Sequence, residues 1–179
     1  QNFAGGYDRY ITTQISEETI MSIREVKAFF AARGMEDKVL EFATSSATVE
    51  LAAQTVGVIP ARIAKTLSFM TAEGPLLVVT AGDAKIDNHK YKETFSCKAK
   101  MLTPEEAVEL VGHAVGGVCP FAVKPGVKTC LDVSLQRFTT VFPACGSSNS
   151  AIELTCEELY ELSEALAWVD VCKGWQDAE

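Results

Sequence analysis

The chain has 179 residues, of which 47% are hydrophobic and 22% charged, and its formal net charge at pH 7 is −8. This length suits one compact domain, and no segment approaches the roughly 18 consecutive apolar residues that a membrane span requires. The acidic balance argues against sequence-blind binding of DNA or RNA, because that affinity comes from lysines and arginines that neutralise phosphates. Composition therefore predicts a globular cytoplasmic protein with no membrane and no DNA partner.

The cysteines and histidines do not form a metal-binding pattern. The six cysteines include no C-x-x-C pair, and neither histidine lies beside a cysteine at a metal-ligand spacing. We therefore expect no metal site and no cofactor. A chain of this length without an apolar leader does not depend on disulfides, so reduced, buried thiols are favoured over disulfide bonds.

The N-terminal region is predicted to contain an extension followed by a helix. Residues 1–20 show no clear hydrophobic period, and we interpret them as an extension, with residues 21–179 forming one domain. Ser22 at a capping position, Glu25 three residues later and the stop signal Gly34 predict a helix from Ser22 to about residue 32.

A second helix and a hairpin follow. A short strand over residues 39–42 precedes a helix over residues 48–55. The side chains of this helix that we expect to face the core are Val49, Leu51, Ala52 and Val56. Apolar runs over residues 63–70 and 75–80 flank a short turn that ends in Gly74, which is typical of a hairpin of largely buried strands.

The rest of the chain alternates helices and strands. A helix over residues 87–95 and a short strand over 99–102 lead to the helix start Thr103-Pro104-Glu105-Glu106, and Gly112 ends that helix. Further strands are predicted over residues 129–132, 139–142 and 152–154, the last joining the same sheet, before a helix over 157–165 and a strand over 168–171. These elements do not form regular βαβ units. The predicted fold class is therefore α/β (α+β), a mixed, mainly antiparallel sheet with peripheral helices.

Lys65 is the most informative single residue, because it places a charge inside the otherwise apolar strand Ile63-Ala64-Lys65-Thr66-Leu67. A lysine is seldom fully buried without a partner. One interpretation is an ordinary strand lysine that faces solvent. The other is a lysine that lines a cleft, where its ammonium group binds a carbonyl or phosphate oxygen.

Two loops and one strand end could also carry chemistry. In Gly116-Gly117-Val118-Cys119-Pro120, two glycines allow a ligand to approach backbone N–H groups that can stabilise an oxyanion. Asp132 ends an apolar strand, and Gly146-Ser147-Ser148-Asn149 forms a polar turn between two others. Strand ends and turns are where a scaffold presents polar groups to ligands. Taken singly, each is better explained as a structural turn or as strand punctuation than as a functional site.

A nucleophilic triad is not supported by the sequence. There is no G-x-S-x-G elbow, and no base can be assigned to Cys119 from the sequence. Five lysines within sixteen residues make a modestly basic surface, which is either a solvated charged face or a local contact for RNA. These lysines are Lys85, Lys90, Lys92, Lys98 and Lys100.

Read in order, these segments resemble the YbaK/ProX family of aminoacyl-tRNA deacylases, which also occurs as an editing insertion in bacterial prolyl-tRNA synthetases. Residues 61–67 look like the strand that carries the family's essential lysine, and residues 112–121 are similar to its G-x-x-x-P loop. Asp132 matches the acidic strand end, and residues 138–154 match the final hairpin. The resemblance covers roughly residues 22–172 and implies a curved sheet with a cleft between Lys65 and the glycine loop.

The resemblance implies a hydrolase that removes a small amino acid such as cysteine or alanine from mischarged tRNA, with tRNA-Pro as the expected carrier. Aminoacyl-tRNA is then the substrate, and prolyl-tRNA synthetase is a candidate partner. The site it implies combines the catalytic Lys65 and Gly116–Pro120 loop with substrate contacts at Asp132, Gly146, Ser147 and Ser148, without a metal. Many relatives carry a basic residue after the turn glycine where this chain has Ser147. That departure leaves open a second interpretation, a non-catalytic module that binds aminoacyl-tRNA or a synthetase.

Overall fold

A computed structural model describes the backbone of residues 7–46 and 48–176, and side chains from residue 19 onward with the same gap. The first helix, α1, spans Tyr7–Ala31, so it begins well before the predicted start at Ser22. Ser22 lies inside the helix and is buried, which makes the capping prediction wrong. The S-x-x-E pattern marks a helix start only where the chain upstream is not already helical. Residues 1–6 lie outside the described residues, and the division into extension and domain stays a prediction.

Four further α-helices follow in the described part of the chain, and the helix start predicted at Thr103 and its end at Gly112 are confirmed. The side chain of Thr48 caps α2, and Gly57 ends it with φ 84°. Asp87 caps α3, and Thr103 and Glu106 form a complete capping box at α4, which continues as a π-helical turn that Gly112 ends. The bounds are α2 Val49–Val56, α3 Asn88–Phe95, α4 Pro104–Glu106, the π-turn Ala107–Val111 and α5 Cys156–Leu162.

The strands form one six-stranded mixed sheet and two short ladders. The sheet order is β8-β6-β2-β3-β5-β9, with β2–β3 and β6–β8 antiparallel and the other neighbours parallel. The two ladders, β1–β7 and β4–β10, are antiparallel. Bounds are β1 Val39–Glu41, β2 Ile63–Thr71, β3 Gly74–Ala81, β4 Lys85–Ile86, β5 Lys128–Asp132, β6 Thr140–Pro143, β7 Ser150–Ile152, β8 Leu154–Thr155, β9 Trp168–Val169 and β10 Cys172–Lys173. Across the sheet and the ladders, more residues pair antiparallel than parallel, mostly in β2–β3. The predicted fold class, a mixed and mainly antiparallel sheet with peripheral helices, is confirmed.

Three predicted details differ from the structure. The expected strand over 99–102 is reduced to one bridge between Met101 and Phe69. The expected strand over 152–154 is split, since Ile152 pairs with Val39 in the β1–β7 ladder and Leu154 pairs with Val141 in the main sheet. Leu51 is 46% exposed, while Ala53 is the buried residue of α2. An apolar pattern shows that a segment is packed against the core. It does not show which strand the segment pairs with or which face of a helix is buried.

The β2–β3 hairpin lies at the centre of the sheet and positions the site. Its two strands pair from Ala64 with Ala81 to Thr71 with Gly74, as the sequence predicted. β3 is buried along most of its length, with Val78 and Val79 fully inaccessible in the main core. The strand that carries Lys65 is therefore held rigidly by its neighbour.

Candidate active site

A cleft of about 320 Å³ lies along β2, between α2 and the loop that contains Gly116. One wall is apolar and consists of side chains from α2, β2 and β6: Val49, Ala52, Val56, Ile63 and Phe142. The opposite side contains Lys65, Gly116, Val118, Ser147 and Ser148. The structure thus brings together residues from three of the four segments that the sequence singled out.

The floor of the cleft is a gap in the sheet beside β2. β6 pairs with β2 only at Ile63 and Ala64, and the next neighbour on this edge is Met101, opposite Phe69. Ser68 accepts a backbone hydrogen bond from Leu102 on the same edge. Because N–H and C=O groups alternate between the two edges of a strand, those of Thr66 also point to this edge, where none of the described strands pairs with them. This gap is not visible in the sequence, since strand pairing depends on where β6 ends.

Lys65 is partly buried at the cleft and holds its ammonium group close to the backbone. Its Nζ donates a hydrogen bond to the carbonyl oxygen of Ala84 at 2.5 Å. Lys65 has no salt-bridge partner within the described part of the chain. An ammonium group has three N–H donors, so the contact with Ala84 leaves donor capacity for a substrate oxygen.

The positive charge of Lys65 is only partly balanced by nearby carboxylates. Burial lowers the pKa of Lys65, and the nearby Asp83 and Glu50 carboxylates oppose this shift only in part. Asp83 is already bound by Arg137, whose two terminal nitrogens contact its carboxylate oxygens at 2.6 and 2.9 Å. Because nearby carboxylates balance its charge only in part, the ammonium group of Lys65 interacts more favourably with a carbonyl or phosphate oxygen that enters the cleft.

The glycine loop contributes fewer backbone donors than its sequence allows. The N–H of Gly117 donates to the carbonyl oxygen of Ala114 at 3.0 Å, and Pro120 has no N–H group. Gly116 and Val118 line the cleft, whereas Cys119 and Pro120 are buried away from its surface. The loop donors that remain beside the cleft are therefore the N–H groups of Gly116 and Val118.

Both central glycines of the site are required by close backbone packing. A Cβ on Gly117 would lie 2.5 Å from the carbonyl carbon and oxygen of Gly146. A Cβ on Gly146, whose φ is 94°, would lie 2.8 Å from the carbonyl oxygen of Ser22 in α1. The glycine loop, the hairpin turn and α1 thus stack in direct contact, and Gly146 acts through this packing.

The turn at Ser147–Asn149 closes the cleft on the side of residues 42–46. Ser148 lines the cleft, and its hydroxyl contacts that of Ser45. The backbone N–H of Ser46 donates to the carbonyl of Ser148 at 2.8 Å, and that of Phe42 donates to Asn149 at 2.8 Å. Ser147 is buried and donates to Ser150 at 2.8 Å. This turn therefore joins the cleft to the segment before α2.

Asp132 lies outside the cleft. Its carboxylate is fully buried and accepts hydrogen bonds from the backbone N–H groups of Ser134 and Val171, both at 2.9 Å. It thereby joins the end of β5 to the chain before β10. The structure does not bring Asp132 to the substrate side, so the predicted substrate contact is replaced by a structural one.

Cys119 has a histidine neighbour that the sequence did not reveal, but the pair is not arranged as a catalytic dyad. The Sγ of Cys119 lies 3.5 Å from the Nε2 of His113. That nitrogen is 2.7 Å from the carbonyl oxygen of Phe121, which can only accept, so Nε2 carries the proton. Burial raises the pKa of Cys119 to about 12 and lowers the pKa of His113. Both groups are therefore neutral near pH 7.

Comparison with known proteins identifies the family. Residues 43–162 match the family described as the aminoacyl-tRNA editing domain. The chain belongs to the aminoacyl-tRNA editing domain family. This match spans α2, the β2–β3 hairpin and the glycine loop, and confirms the family inferred from the motifs.

Several relatives of this editing domain are similar over long stretches. The chain is 56% identical over 158 residues to YwhH, an uncharacterized protein of Bacillus subtilis, covering 87% of this chain and all of that protein. It is 32% identical over 90 residues to the proline–tRNA ligase of Thermotoga maritima, covering 50% of this chain and 15% of the ligase. A solved structure described as a candidate trans-editing enzyme for prolyl-tRNA synthetase superposes with a TM-score of 0.78 and 32% identity, covering 86% of this chain and 98% of that one.

Two further observations concern the described residues as a whole. No helix in the described part is long and apolar enough to cross a membrane. Nor does any group of three or more His, Cys, Asp or Glu side chains among those residues come close enough to hold a metal ion.

Proposed function

We propose that this editing domain is an aminoacyl-tRNA deacylase that acts in trans in the cytoplasm and hydrolyses the ester of a small amino acid, cysteine or alanine, on tRNA-Pro. The observation that carries the proposal is the presence of Lys65, Gly116 and Val118 together in the lining of one cleft. Its choice of tRNA is supported by the similarity to a proline–tRNA ligase and to a solved candidate for prolyl trans-editing.

In this proposal the chain binds the aminoacyl ester through groups from both sides of the cleft. The ammonium group of Lys65 holds the aminoacyl carbonyl or the terminal adenosine phosphate. The exposed carbonyl of Thr66 on the open edge of β2 accepts a hydrogen bond from the α-ammonium group of the amino acid. The apolar wall that includes Val49 and Ala52 receives the side chain.

Hydrolysis then proceeds without a protein nucleophile. Water attacks the ester carbonyl, and the free ribose hydroxyl of the substrate accepts the proton. The carbonyl oxygen becomes an oxyanion, which the N–H groups of Gly116 and Val118 stabilise; one such donor is typically worth on the order of 10²- to 10³-fold in rate. Collapse of the tetrahedral intermediate breaks the ester bond, the departing ribose oxygen takes up the proton that the neighbouring hydroxyl accepted, and the amino acid and tRNA are released.

Recognition of the tRNA body is proposed to involve the lysines between β4 and α4. Lys90 is engaged by Asp170 and by the carbonyl of Cys172, both at 3.1 Å. The remaining members of this group are exposed: Lys85, Lys92, Lys98 and Lys100. Lys100 directly precedes Met101 at the cleft, so these charges can reach phosphates close to the aminoacyl end.

Single-turnover deacylation of tRNA-Pro charged with alanine or cysteine, and of seryl- and threonyl-tRNA, tests the proposal. We expect the wild type to release at least one of these amino acids, Lys65→Ala to lose most of that activity while remaining folded, and the exposed control Lys38→Ala to behave as wild type. If the wild type binds the charged tRNAs but releases none of them, the non-catalytic binding module is the correct interpretation. A folded Lys65→Ala with a near-normal rate would remove Lys65 from the site.

A further inference from the structure

His113 closes the glycine loop from its base. It precedes Gly116 by three positions, and its Nε2–H donates to the carbonyl of Phe121, directly after Pro120, at 2.7 Å. The imidazole thus joins the two ends of the loop. His113 is 1% exposed, so solvent does not compete for this hydrogen bond.

The second nitrogen of the same ring is bound to α1. The hydroxyl of Ser22 lies against the Nδ1 of His113, and Ser22 is also 1% exposed. Since Nε2 carries the proton, Nδ1 accepts and Ser22 donates. A histidine whose two nitrogens each have a partner is fixed in both tautomer and orientation. Burial lowers the pKa of His113, which keeps the ring in this neutral form.

The same helix also supports the loop through apolar and backbone contacts. The ring of Phe30 packs against that of Phe121 with centroids 4.9 Å apart. Gly146, which packs directly on Gly117, approaches the Ser22 carbonyl so closely that a Cβ there would lie 2.8 Å from it. α1 therefore contacts the exit of the loop and the turn that the loop packs on.

We propose that His113 is a positioning residue of the deacylase and that, with Ser22 of α1, it holds the loop so that the N–H groups of Gly116 and Val118 face the reacting ester. This inference rests on the proposed function. It assigns α1, which precedes the residues matched by the family, a part in the support of the site. His113 does not touch the cleft and takes no part in proton transfer.

The test compares three variants with a matched control. His113→Leu removes both hydrogen bonds at similar volume, His113→Gln retains a donor near the position of Nε2, and Ser22→Ala removes only the bond to Nδ1. His89→Leu is the control, because this histidine is 81% exposed on α3. Hydrogen–deuterium exchange of residues 114–121 reports the order of the loop, and steady-state deacylation reports kcat and KM.

We expect His113→Leu to accelerate exchange in the loop and to lower kcat by about 10- to 100-fold, since displacements near 1 Å cost rates of this order. KM should change by less than about threefold, because the loop acts mainly on the transition state. His113→Gln should recover most of the rate, Ser22→Ala should show a smaller loss, and His89→Leu should match wild type.

Two results would overturn the inference. One is unchanged loop exchange in His113→Leu, or in Ser22→Ala if the leucine variant does not fold. The other is a His113→Gln protein as slow as His113→Leu, which would show that the ring's packing matters and its hydrogen bond does not. If the wild type deacylates nothing while the exchange pattern is as expected, the proposed function fails and the structural role of His113 stands.

Discussion

Replacement of Gly117 by alanine tests the packing between the glycine loop and the hairpin turn. A Cβ at this position would lie 2.5 Å from the carbonyl carbon and oxygen of Gly146 and 2.6 Å from the backbone nitrogen of Ser147. Ordinary contact begins at 3.4 Å, so the loop and the turn must separate by about 0.9 Å. Both neighbours are backbone atoms, and no side chain can rotate to relieve the contact.

The expected consequence is a large loss of rate. The N–H groups that stabilise an oxyanion must lie about 2.7–3.1 Å from it, and a shift of 0.9 Å moves Gly116 and Val118 out of that range. A displacement of about 1 Å can lower the rate by about 100-fold. Single-turnover deacylation with enzyme in excess measures this loss directly, and thermal denaturation shows whether the variant is folded.

Gly126→Ala is the matched control. Gly126 has φ 88°, but a Cβ there would meet nothing within 4 Å. Its replacement should cost about 1 kcal/mol of stability through backbone strain and leave deacylation unchanged. Should Gly117→Ala fold and retain wild-type deacylation, the loop would not supply the oxyanion donors, and the reasoning would be refuted.

Four further predictions concern three side chains. Burial lowers the pKa of Lys65 below its ordinary value of 10.5. Binding of a hydrolysis-resistant, amide-linked aminoacyl-adenosine should therefore weaken as the pH rises through that lowered pKa. Titration calorimetry of wild type and Lys65→Met checks this, and an equal pH dependence of binding in both proteins would contradict it. As the pH rises through the same range, Lys65 loses its proton and the free-energy cost of burying an ammonium group disappears. The free energy of unfolding of the wild type relative to Lys65→Met, measured by urea denaturation, should therefore rise. Cys119→Ala should keep deacylation within about threefold of wild type, because the pKa of this thiol, about 12, leaves it protonated; complete loss of activity in a folded variant would restore the cysteine as a nucleophile. Asp132→Asn should lose about 1–3 kcal/mol of stability, since one of two buried N–H groups loses its acceptor. Deacylation should be retained at temperatures below the melting transition. A normal melting temperature with lost deacylation would place Asp132 in the site.

The local features of this protein could be predicted from the sequence because each depends on a few neighbouring residues. Thr103 and Glu106 form the expected capping box, and Thr71 pairs with Gly74 at the expected hairpin turn. Lys65 was identified as unusual because a charge in an apolar strand needs an explanation at any position in a fold. The ordered combination of Lys65, the glycine loop and the final hairpin was enough to identify the family.

Other features depend on contacts between segments far apart in the chain, and only the tertiary structure decided them. Ser22 fits a helix cap by its local pattern, yet the hydroxyl contacts His113, 91 positions away, inside a longer helix. Asp132 fits a strand end that presents a ligand group, yet it is buried and its two oxygens accept hydrogen bonds from the backbone N–H groups of Ser134 and Val171.

The cleft itself belongs to this second class. Its floor exists because β6 stops pairing at Ala64 and Met101 resumes the pairing at Phe69, and no local sequence signal records where a neighbouring strand ends. The need for glycine at position 117 likewise comes from the backbone of Gly146 and not from its own φ. Propensities and caps are short-range properties that a sequence displays directly, whereas sheet edges, burial and backbone contact are set by the packing of the whole chain.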